Sequence, residues 1–401
     1  MGELVNARTA AERLGVDVRT LYAYVSRGAL RRVPGPDGRS SRYDSDELEL
    51  LARRSRPRTL PRPAASIDLV IATRVSTVTD GMVRYRGTNV LDLITAEEPF
   101  DRVADLLWQA DPPGSDDGWR LPGAGEGPAF PLPDEIPVLH RFAIAVAAMA
   151  GAGTSTVAAS DVTASDVTAA TSTPDWPSCG RRVIGCLINA SGPASRNRDH
   201  LDDDATVARR LWRRWSPLRP TVTRVRALDI ALVLLAEHEL ALSTLSVRVA
   251  ASARATPASC LLAGLSTLSG RLHGGAAGAV HEKLAAGEPV VTGFGHPVHR
   301  HGDPRVAPLL GAVYAFATPA DRELIETAQR EAPRPLNVDF ALGALTYAAR
   351  MPADAAAAVF AIARVAGWIA HAAEEYAEPP LRFRGRAVRP ARTGLRSPSG
   401  G

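Results

Sequence analysis

The chain has 401 residues, of which 45% are hydrophobic and 22% are charged. These are ordinary globular values, and they exclude wholesale disorder, a collagen-like repeat and a highly charged tail protein. A chain of this length exceeds what one hydrophobic core usually organises, so we expect two or three domains. Aromatic residues are only 5% of the chain and alanine is abundant, which favours helices. We therefore expect an all-α body.

The net charge of +4 is unevenly distributed. Residues 1–63 contain 13 Arg and 8 acidic residues, whereas the rest of the chain is close to neutral, so a polyanionic partner would bind the N-terminal segment. The three cysteines form no Cys-x-x-Cys pair, the N-terminus lacks a signal-peptide pattern, and no uninterrupted apolar run reaches 18 residues. We expect a cytoplasmic protein without a disulfide framework or a membrane partner.

Residues 4–26 predict two short helices, with a break at Gly15 because glycine adopts the left-handed backbone of a tight turn. Segment 31–43 places turn residues between basic strands, and 44–51 opens another helix. This order resembles the winged helix-turn-helix domains of the MerR and excisionase type, which implies a double-stranded DNA partner. A small helical hairpin used for dimer packing is the alternative.

If the helix-turn-helix resemblance holds, the second helix faces a DNA groove with Arg19, Thr20 and Tyr22. Four arginines of the following segment would then lie near phosphates: Arg31, Arg32, Arg39 and Arg42.

Three further patterns mark the organisation of the chain. Residues 53–65 are rich in Pro and Arg and predict a linker. Residues 152–178 are small, polar and repetitive, which predicts a disordered surface insertion. Apolar residues at helical spacing from Ala231 to Val249 predict a single helix with His238 in its middle.

Three segments carry residue types suited to chemistry: G-R-L-H-G-G-A (270–276), G-F-G-H-P-V-H-R-H-G-D-P-R (293–305) and L-N-V-D-F-A-L-G (336–343). The chain has no Walker loop or G-x-S-x-G elbow, and G-F-G-H-P-V lacks the third glycine of a dinucleotide fingerprint. In this order the three segments resemble the site motifs of citrate synthases. Further matches lie at 75–87, 235–244, 359–371 and 388–392, so the resemblance covers most of residues 66–392.

The resemblance implies an all-α, two-domain citrate synthase fold, with a large helical domain and a small helical domain that closes over the site. A small winged helix-turn-helix domain precedes it. The expected boundaries are 1–52 for the winged domain, 53–65 for the linker, 66–274 with 351–392 for the large domain, 275–350 for the small domain, and 393–401 for a disordered tail.

Joining the methyl carbon of an acyl thioester to a ketone needs a base, a donor for the enolate oxygen and a group that polarises the ketone. The resemblance assigns these roles to Asp339, His273 and His296 respectively. A free Asp, with a pKa of about 3.9, is too weak a base to act unaided, so the enolate must be stabilised as it forms. The implied reaction condenses acetyl-CoA with oxaloacetate to give citrate and CoA, with no tightly bound cofactor.

Oxaloacetate carries two carboxylates, which suit the planar fork of arginine. Residues that match the family's carboxylate ligands are His238, Arg305, Arg364 and Arg389. Arg364 lies among apolar residues of an Ala-rich helix, so it needs an anionic partner, which oxaloacetate would supply. Arg389 matches an arginine that reaches into the neighbouring subunit, which implies a homodimer. Arg300 and Arg334 flank loops that, by resemblance, hold coenzyme A phosphates.

Taken singly, His238 could be a core histidine and Arg305 a helix cap, and only the joint pattern favours a site. His296, His299 and His301 have no fourth ligand at suitable spacing, so no metal is expected.

Four departures from the family pattern border the expected thioester pocket. Pro297 and His299 replace an Arg and a Tyr, Ala341 replaces a Tyr, and Ala241 replaces an Asn. Two alternatives to citrate formation stay open. A 2-methylcitrate synthase would use propionyl-CoA, and one methylene changes binding by only about 1–3 kcal/mol. A DNA-binding regulator would sense oxaloacetate or acyl-CoA with weak or no turnover.

Overall fold

The computed structural model describes residues 4–14, 18–26, 30–35, 40–48, 69–79, 81–110, 119, 135–153, 173–191, 205–270 and 273–384. The chain divides into two compact units, Met1–Ala72 and Thr73–Gly401. The predicted linker at 53–65 and the predicted tail at 393–401 lie outside the described residues.

The first unit combines two helices with a three-stranded antiparallel sheet. Strand β1 (Leu4–Asn6) precedes helices α1 (Ala7–Leu14) and α2 (Val18–Ser26), and strands β2 (Val33–Pro34) and β3 (Ser41–Asp44) follow. The strand order is β1-β3-β2, so β3 pairs with both neighbours. Residues 45–48 are helical, as predicted.

The core of the first unit is small and apolar. Leu21, Leu30, Tyr43 and Leu48 are at most 2% exposed. The two helices predicted over residues 4–26 are present, but the sequence did not indicate β1. Its three residues are too few to show alternation, and the strand depends on pairing with the distant β3.

The second unit begins with a three-stranded antiparallel sheet, so the prediction of an all-α body is wrong in this segment. Its strands are β4 (Ser76–Thr79), β5 (Met82–Tyr85) and β6 (Thr88–Asn89), in that order. Val83 and Tyr85 alternate with exposed residues and are at most 1% exposed, which is the strand pattern that the overall composition concealed.

Thirteen helices follow in the described part of the second unit. They are α3 (Val90–Thr95), α4 (Phe100–Trp108), α5 (Val138–Gly153), α6 (Trp176–Ala190), α7 (Val207–Trp215), α8 (Val222–Leu235), α9 (Leu242–Ser252), α10 (Pro257–Leu268), α11 (Ala276–Ala286), α12 (Val306–Tyr314), α13 (Pro319–Arg330), α14 (Val338–Ala348) and α15 (Ala355–Tyr376). Helices α11 to α14 fall within the predicted small domain, whose separateness stays a prediction.

Helix α15 is the central element of the second unit. It packs against α4, α5, α6, α8, α9 and α10. Among the described helices it alone is long and apolar enough to cross a membrane, and 89% of the relevant window is buried inside the protein. Gly367 permits this packing, because a Cβ there would clash with the carboxylate of Glu237.

The single helix predicted through His238 is wrong, because α8 ends three residues before it and α9 begins four residues after it. Glu239 adopts a left-handed φ of 52°, which no continuous helix permits. The hydroxyl of Tyr85 donates to the carbonyl oxygens of Val233 and Glu237, each at 3.0 Å. This buried hydroxyl therefore contacts both the last turn of α8 and the segment that follows it.

The predicted insertion at 152–178 is too long at both ends. Helix α5 continues to Gly153, and α6 begins at Trp176 behind Asp175, whose carboxylate accepts the Ser178 N–H at 3.1 Å. The Trp176 ring is 5% exposed and packs edge-on against Tyr376, with centroids 4.9 Å apart. This aromatic contact orders the end of the segment, and residues 154–172 lie outside the described part.

Candidate active site

A loop and a helix N-terminus are tied together at the centre of the candidate site. The N–H of Gly295 donates to the carbonyl of Pro335 at 2.7 Å, and the N–H of Asn337 donates to the carbonyl of Gly293 at 3.0 Å. The Asn337 side chain donates to the carbonyl of Gly295 at 2.9 Å and also accepts the Asp339 N–H, so it caps α14. Two of the predicted motifs, 293–305 and 336–343, therefore form one backbone assembly.

Gly293 is needed where this loop touches α14. Its φ is +83°, and a Cβ would lie 3.0 Å from the Cβ of Phe340 and from a methyl group of Val280. Both the left-handed backbone and the close approach exclude larger residues. The loop that carries His296 thus lies directly against the first turn of α14.

Asp339 lies in that first turn, where burial raises the pKa of its carboxyl group to about 6. The positive charges of Arg305 and Arg364 oppose this shift, and Asp303 adds to it. The N-terminus of α14 also favours the ionised form. The result is a carboxylate that is a stronger base than a free Asp but is still ionised at neutral pH.

The tautomer of His296 is set by its own loop. Nδ1 of His296 lies 3.1 Å from the N–H of Val298 and 3.3 Å from that of His299, and both groups donate to it. Burial and the nearby Arg305 lower the pKa of His296 to about 4, so the ring is neutral at pH 7. A neutral ring that accepts at Nδ1 carries its proton on Nε2, which makes Nε2 a hydrogen-bond donor.

His273 follows α10 and is held from α9. Its Nε2 lies 2.9 Å from the hydroxyl of Ser243, which is fully buried. Burial and the charge of Arg364 lower the pKa of His273. A neutral ring oriented through Nε2 keeps Nδ1 for a second partner.

Arg305 is held by a carboxylate two residues before it. Its Nε and Nη2 donate to the two oxygens of Asp303 at 2.9 and 2.8 Å, and Asp303 also accepts the N–H of Val338. The hydrogen bonds and charge of Arg305 lower the pKa of Asp303 against the opposing effect of burial. Arg305 is therefore fixed relative to α14, and Nη1 remains for a further anion.

Arg364 is 2% exposed in the middle of α15. Its Nε donates to the carbonyl of Leu235 at 2.9 Å, and its guanidinium lies over the Phe360 ring, 4.8 Å from the centroid. The charges of Glu237 and Asp339 also act on it. Both act through their charge, and no described carboxylate lies within ion-pair distance of Arg364. The expectation that oxaloacetate supplies its anionic partner stays a prediction.

His238 lies in the turn between α8 and α9 and is 8% exposed. Burial, followed by the charges of Arg305 and Arg364, lowers its pKa far below the usual range, so the ring is neutral. Its ring centroid lies 5.1 Å from those of both His296 and His299. Two buried arginines, Arg305 and Arg364, thus lie at the centre of the predicted site. Their charges act on four other predicted residues, which are His238, His273, His296 and Asp339.

Sequence reasoning missed a charged layer beneath the site. Arg248 is fully buried and contacts three groups on α15, namely His371, Glu374 and Glu375. His371 in turn places Nε2 3.3 Å from a carboxylate oxygen of Glu237. These five ionisable residues lie on separate segments of the chain, so they form no local sequence motif. The only signal was the presence of charged residues at core positions of apolar helices.

The arginines predicted to bind coenzyme A or to reach the neighbouring subunit are not buried in the described part of the site. Arg300 and Arg334 are exposed, and Nη1 of Arg334 lies 3.4 Å from the Cβ position of Gly295. Arg389 lies outside the described residues. No group of three or more His, Cys, Asp or Glu in the described part of the chain is arranged to hold a metal ion.

In the first unit, the side chains predicted to contact DNA differ in exposure. Tyr22 is 49% exposed, and Arg31 and Arg32 are exposed. Arg42 is half-buried, with its guanidinium 3.4 Å from the carbonyl oxygen of Leu4. Arg19 and Thr20 lie on α2 but their side chains are outside the described part, as is the whole of Arg39.

The chain is similar to known proteins in sequence and in fold. A family model described as the C-terminal domain of citrate synthase matches residues 68–391. The chain is 29% identical over 341 residues to a putative citrate synthase 2 of Mycobacterium tuberculosis, which spans 78% of this chain and 86% of that protein. It is 34% identical over 177 residues to 2-methylcitrate synthase 2 of Corynebacterium glutamicum, spanning 38% of this chain and 46% of that protein.

Among solved structures, a citrate synthase from Thermoplasma acidophilum superposes with a TM-score of 0.62 at 23% identity, covering 80% of this chain and 94% of that one. That structure is a ternary complex with carboxymethyl coenzyme A and oxaloacetate. The citrate synthase fold predicted for the second unit is confirmed, apart from its small antiparallel sheet, whereas the division into a large and a small domain stays a prediction. The family match begins at residue 68, so the winged helix-turn-helix assignment of the first unit stays a prediction.

Proposed function

Because the chain belongs to the citrate synthase family, we propose that it condenses acetyl-CoA with oxaloacetate to give citrate and CoA. The proposal rests on one observation: a carboxylate and two neutral histidines lie near the two buried arginines, Arg305 and Arg364. Asp339, His273 and His296 supply the base and the two donors that the chemistry requires. No tightly bound cofactor is needed for this reaction.

Asp339 takes a proton from the methyl carbon of the thioester as the enol forms. Burial keeps the carboxylate poorly solvated, which strengthens it as a base, while Arg305 and Arg364 keep it ionised above about pH 6. His273 donates to the thioester oxygen through Nδ1, because Nε2 is engaged by Ser243. A neutral imidazole at this oxygen stabilises the enol through a hydrogen bond and does not give its own proton to Asp339.

The enol carbon then forms a bond to the ketone carbon of oxaloacetate. As this bond forms, His296 transfers its Nε2 proton to the ketone oxygen, which becomes the hydroxyl of the product, and the ring regains a proton from water. The carboxylates of oxaloacetate bind Arg305 and Arg364, with His238 beside them. Water then hydrolyses the citryl thioester and releases CoA.

The test is release of free thiol from the purified protein with oxaloacetate and acetyl-CoA. Asp339 must be deprotonated to act, so kcat/KM should fall about tenfold per pH unit below pH 6 and reach a plateau above it. The pKa of His296 is lowered to about 4, so it should add no inflection between pH 5 and 8. Absence of thiol release with every acyl-CoA would refute the enzyme proposal.

Propionyl-CoA is the second candidate substrate. The similarity to a 2-methylcitrate synthase over 177 residues and the small Ala341 support it. Parallel assays with both thioesters decide, since the larger kcat/KM identifies the preferred acyl group.

We also propose that the protein is a homodimer in which Arg389 completes the site of the other subunit. An inactive Arg389→Ala dimer mixed with an inactive Asp339→Asn dimer should regain activity after subunit exchange. Each hybrid dimer would contain one site with both native residues. Failure to regain activity despite demonstrated exchange would contradict the composite site.

For the first unit we propose binding to duplex DNA. Its excess of arginine, the exposed Tyr22, Arg31 and Arg32, and the sheet beside two helices support this. A regulator without turnover is less well supported, because sensing alone would not require Asp339, His273 and His296 together.

A further inference from the structure

His299 stands where the family pattern has a tyrosine, and it is 3% exposed. Its Nε2 lies 2.9 Å from Nε2 of His238. Its backbone N–H donates to Nδ1 of His296, so the same residue touches two histidines of the site. The inference below rests on the proposed function, because it concerns how His238 receives the keto acid.

Both members of the His238–His299 pair are neutral. Burial lowers the pKa of each, and the positive charge of Arg305 lowers both further. Two neutral imidazoles at 2.9 Å share one proton, so one ring donates and the other accepts. The direction of that hydrogen bond fixes the tautomer of both rings.

The surroundings of His299 favour donation from His299. Its Nδ1 is buried and has no hydrogen-bond partner among the described residues. If His299 accepted at Nε2, its proton would lie on Nδ1, and a buried N–H would be left without an acceptor. If His299 donates from Nε2, a bare nitrogen is buried instead, and buried acceptors without partners are tolerated more often than buried donors.

The surroundings of His238 favour the same direction. Arg305 and Arg364 both act on His238, so the region is suited to anions. If Nε2 of His238 accepts, its proton lies on Nδ1, and this second nitrogen can donate to a carboxylate. In the opposite arrangement Nδ1 would present a lone pair, which repels an anion.

We propose that His299 is a positioning residue for oxaloacetate binding, which donates a hydrogen bond from Nε2 to Nε2 of His238 and so holds the His238 proton on Nδ1. The two histidines form a relay in which only His238 contacts the substrate. A tyrosine hydroxyl at position 299 offers a donor of the same kind.

The first test is nitrogen-15 NMR of selectively histidine-labelled protein, with the His238 signals assigned from a His238→Gln variant. The expected result is a protonated Nδ1 and a bare Nε2 on His238 in the native chain, and loss of this pattern in His299→Phe. A protonated Nε2 on native His238 would overturn the proposal. The NMR experiment needs no turnover. It therefore tests the His238 tautomer independently of the thiol assay, which tests the proposed function.

The second test separates donation from packing. His299→Phe keeps the ring but removes the donor, and His299→Gln restores an N–H donor. For a hydrogen bond that supports a charged ligand, His299→Phe should raise the oxaloacetate Kd and KM by roughly 10- to 100-fold. It should leave kcat at saturating oxaloacetate within about threefold and the acyl-CoA KM unchanged.

His299→Gln should restore the oxaloacetate KM to within about threefold of the native value. The matched control is His301→Phe, two residues further on and exposed, which should change none of these quantities. Equal effects of His299→Phe and His299→Gln would overturn the proposal, because they would show that the volume of the ring, and not its N–H, is what matters.

Discussion

The arginines of the two units differ in their surroundings. In the second unit Arg248, Arg305 and Arg364 are at most 2% exposed, and each contacts carboxylate or carbonyl oxygens of the protein. In the first unit the guanidinium groups of Arg31 and Arg32 are exposed. A buried arginine is stable only where specific acceptors surround it, so its position carries information about a site. Exposed arginines act collectively, and their number matters more than their individual positions.

The largest effect expected from the buried cluster concerns Asp339, the proposed base. Asp339→Asn keeps the shape of the side chain but removes its ability to accept the methyl proton. Thiol release should fall about 10²- to 10⁴-fold, while the oxaloacetate Kd stays within about threefold. The matched control is Asp92→Asn, an exposed carboxylate in the first turn of α3, which should leave turnover unchanged. Near-normal turnover of Asp339→Asn would contradict the proposed mechanism.

The same variant should gain stability at neutral pH. The folded pKa of Asp339 is raised above its unfolded value, so ionisation of this carboxyl group opposes folding. The gain should be about 1–3 kcal/mol above pH 7, should shrink as the pH falls from 6 to 4, and should vanish below about pH 3, where the carboxyl is protonated in both the folded and the unfolded state. Urea unfolding at pH 4 and pH 8 measures it. A destabilised variant at pH 8 would show that the carboxylate is structurally required.

Replacement of one arginine in each unit tests the comparison directly. Arg364→Met removes a buried guanidinium that donates to the carbonyl of Leu235 and interacts with the charge of Glu237, and it should cost about 1–3 kcal/mol. Arg31→Met, at an exposed position, should change stability by less than about 0.5 kcal/mol. Differential scanning calorimetry of both variants measures the change in unfolding free energy. Adding Glu237→Gln to Arg364→Met should recover part of the loss, and equal costs at the two arginines would contradict the argument.

The exposed arginines of the first unit should instead make the affinity for DNA depend on salt concentration. If about four to six phosphates are neutralised across a dimer, log affinity for duplex DNA should fall against log salt with a slope of roughly −3.5 to −5.5. Deletion of residues 1–63 should abolish binding and preserve thiol release, since the site residues all lie in the second unit. Binding that is insensitive to salt, or absent at low salt, would exclude the DNA proposal.

The smallest expected effect concerns a departure from the family pattern. Ala241 is the N-cap of α9 and makes no capping hydrogen bond from its side chain. Ala241→Asn should add one and stabilise the second unit by about 1 kcal/mol. Tryptophan fluorescence in urea reports this unit alone, because all six tryptophans lie within it. Ala241→Leu, which cannot cap, should give no gain.

Local sequence patterns predicted much of this molecule. The helices of the first unit follow from Gly15 and the apolar spacing around Leu21. The three motifs identified the family and named Asp339, His273 and His296 as a set. Such predictions succeed because glycine turns, helix caps and loop motifs act over a few residues.

Only the tertiary structure decided how those residues are held. Tyr85 contacts the turn that carries His238, and the charge of Glu237, in the same turn, acts on Arg364 of α15. The contact between His238 and His299 joins residues 61 positions apart. Hydrogen bonds of this kind depend on distance in space, and local periodicity carries no information about which distant groups meet. The sequence therefore indicated the candidate residues, and packing determined their burial and hydrogen-bond partners.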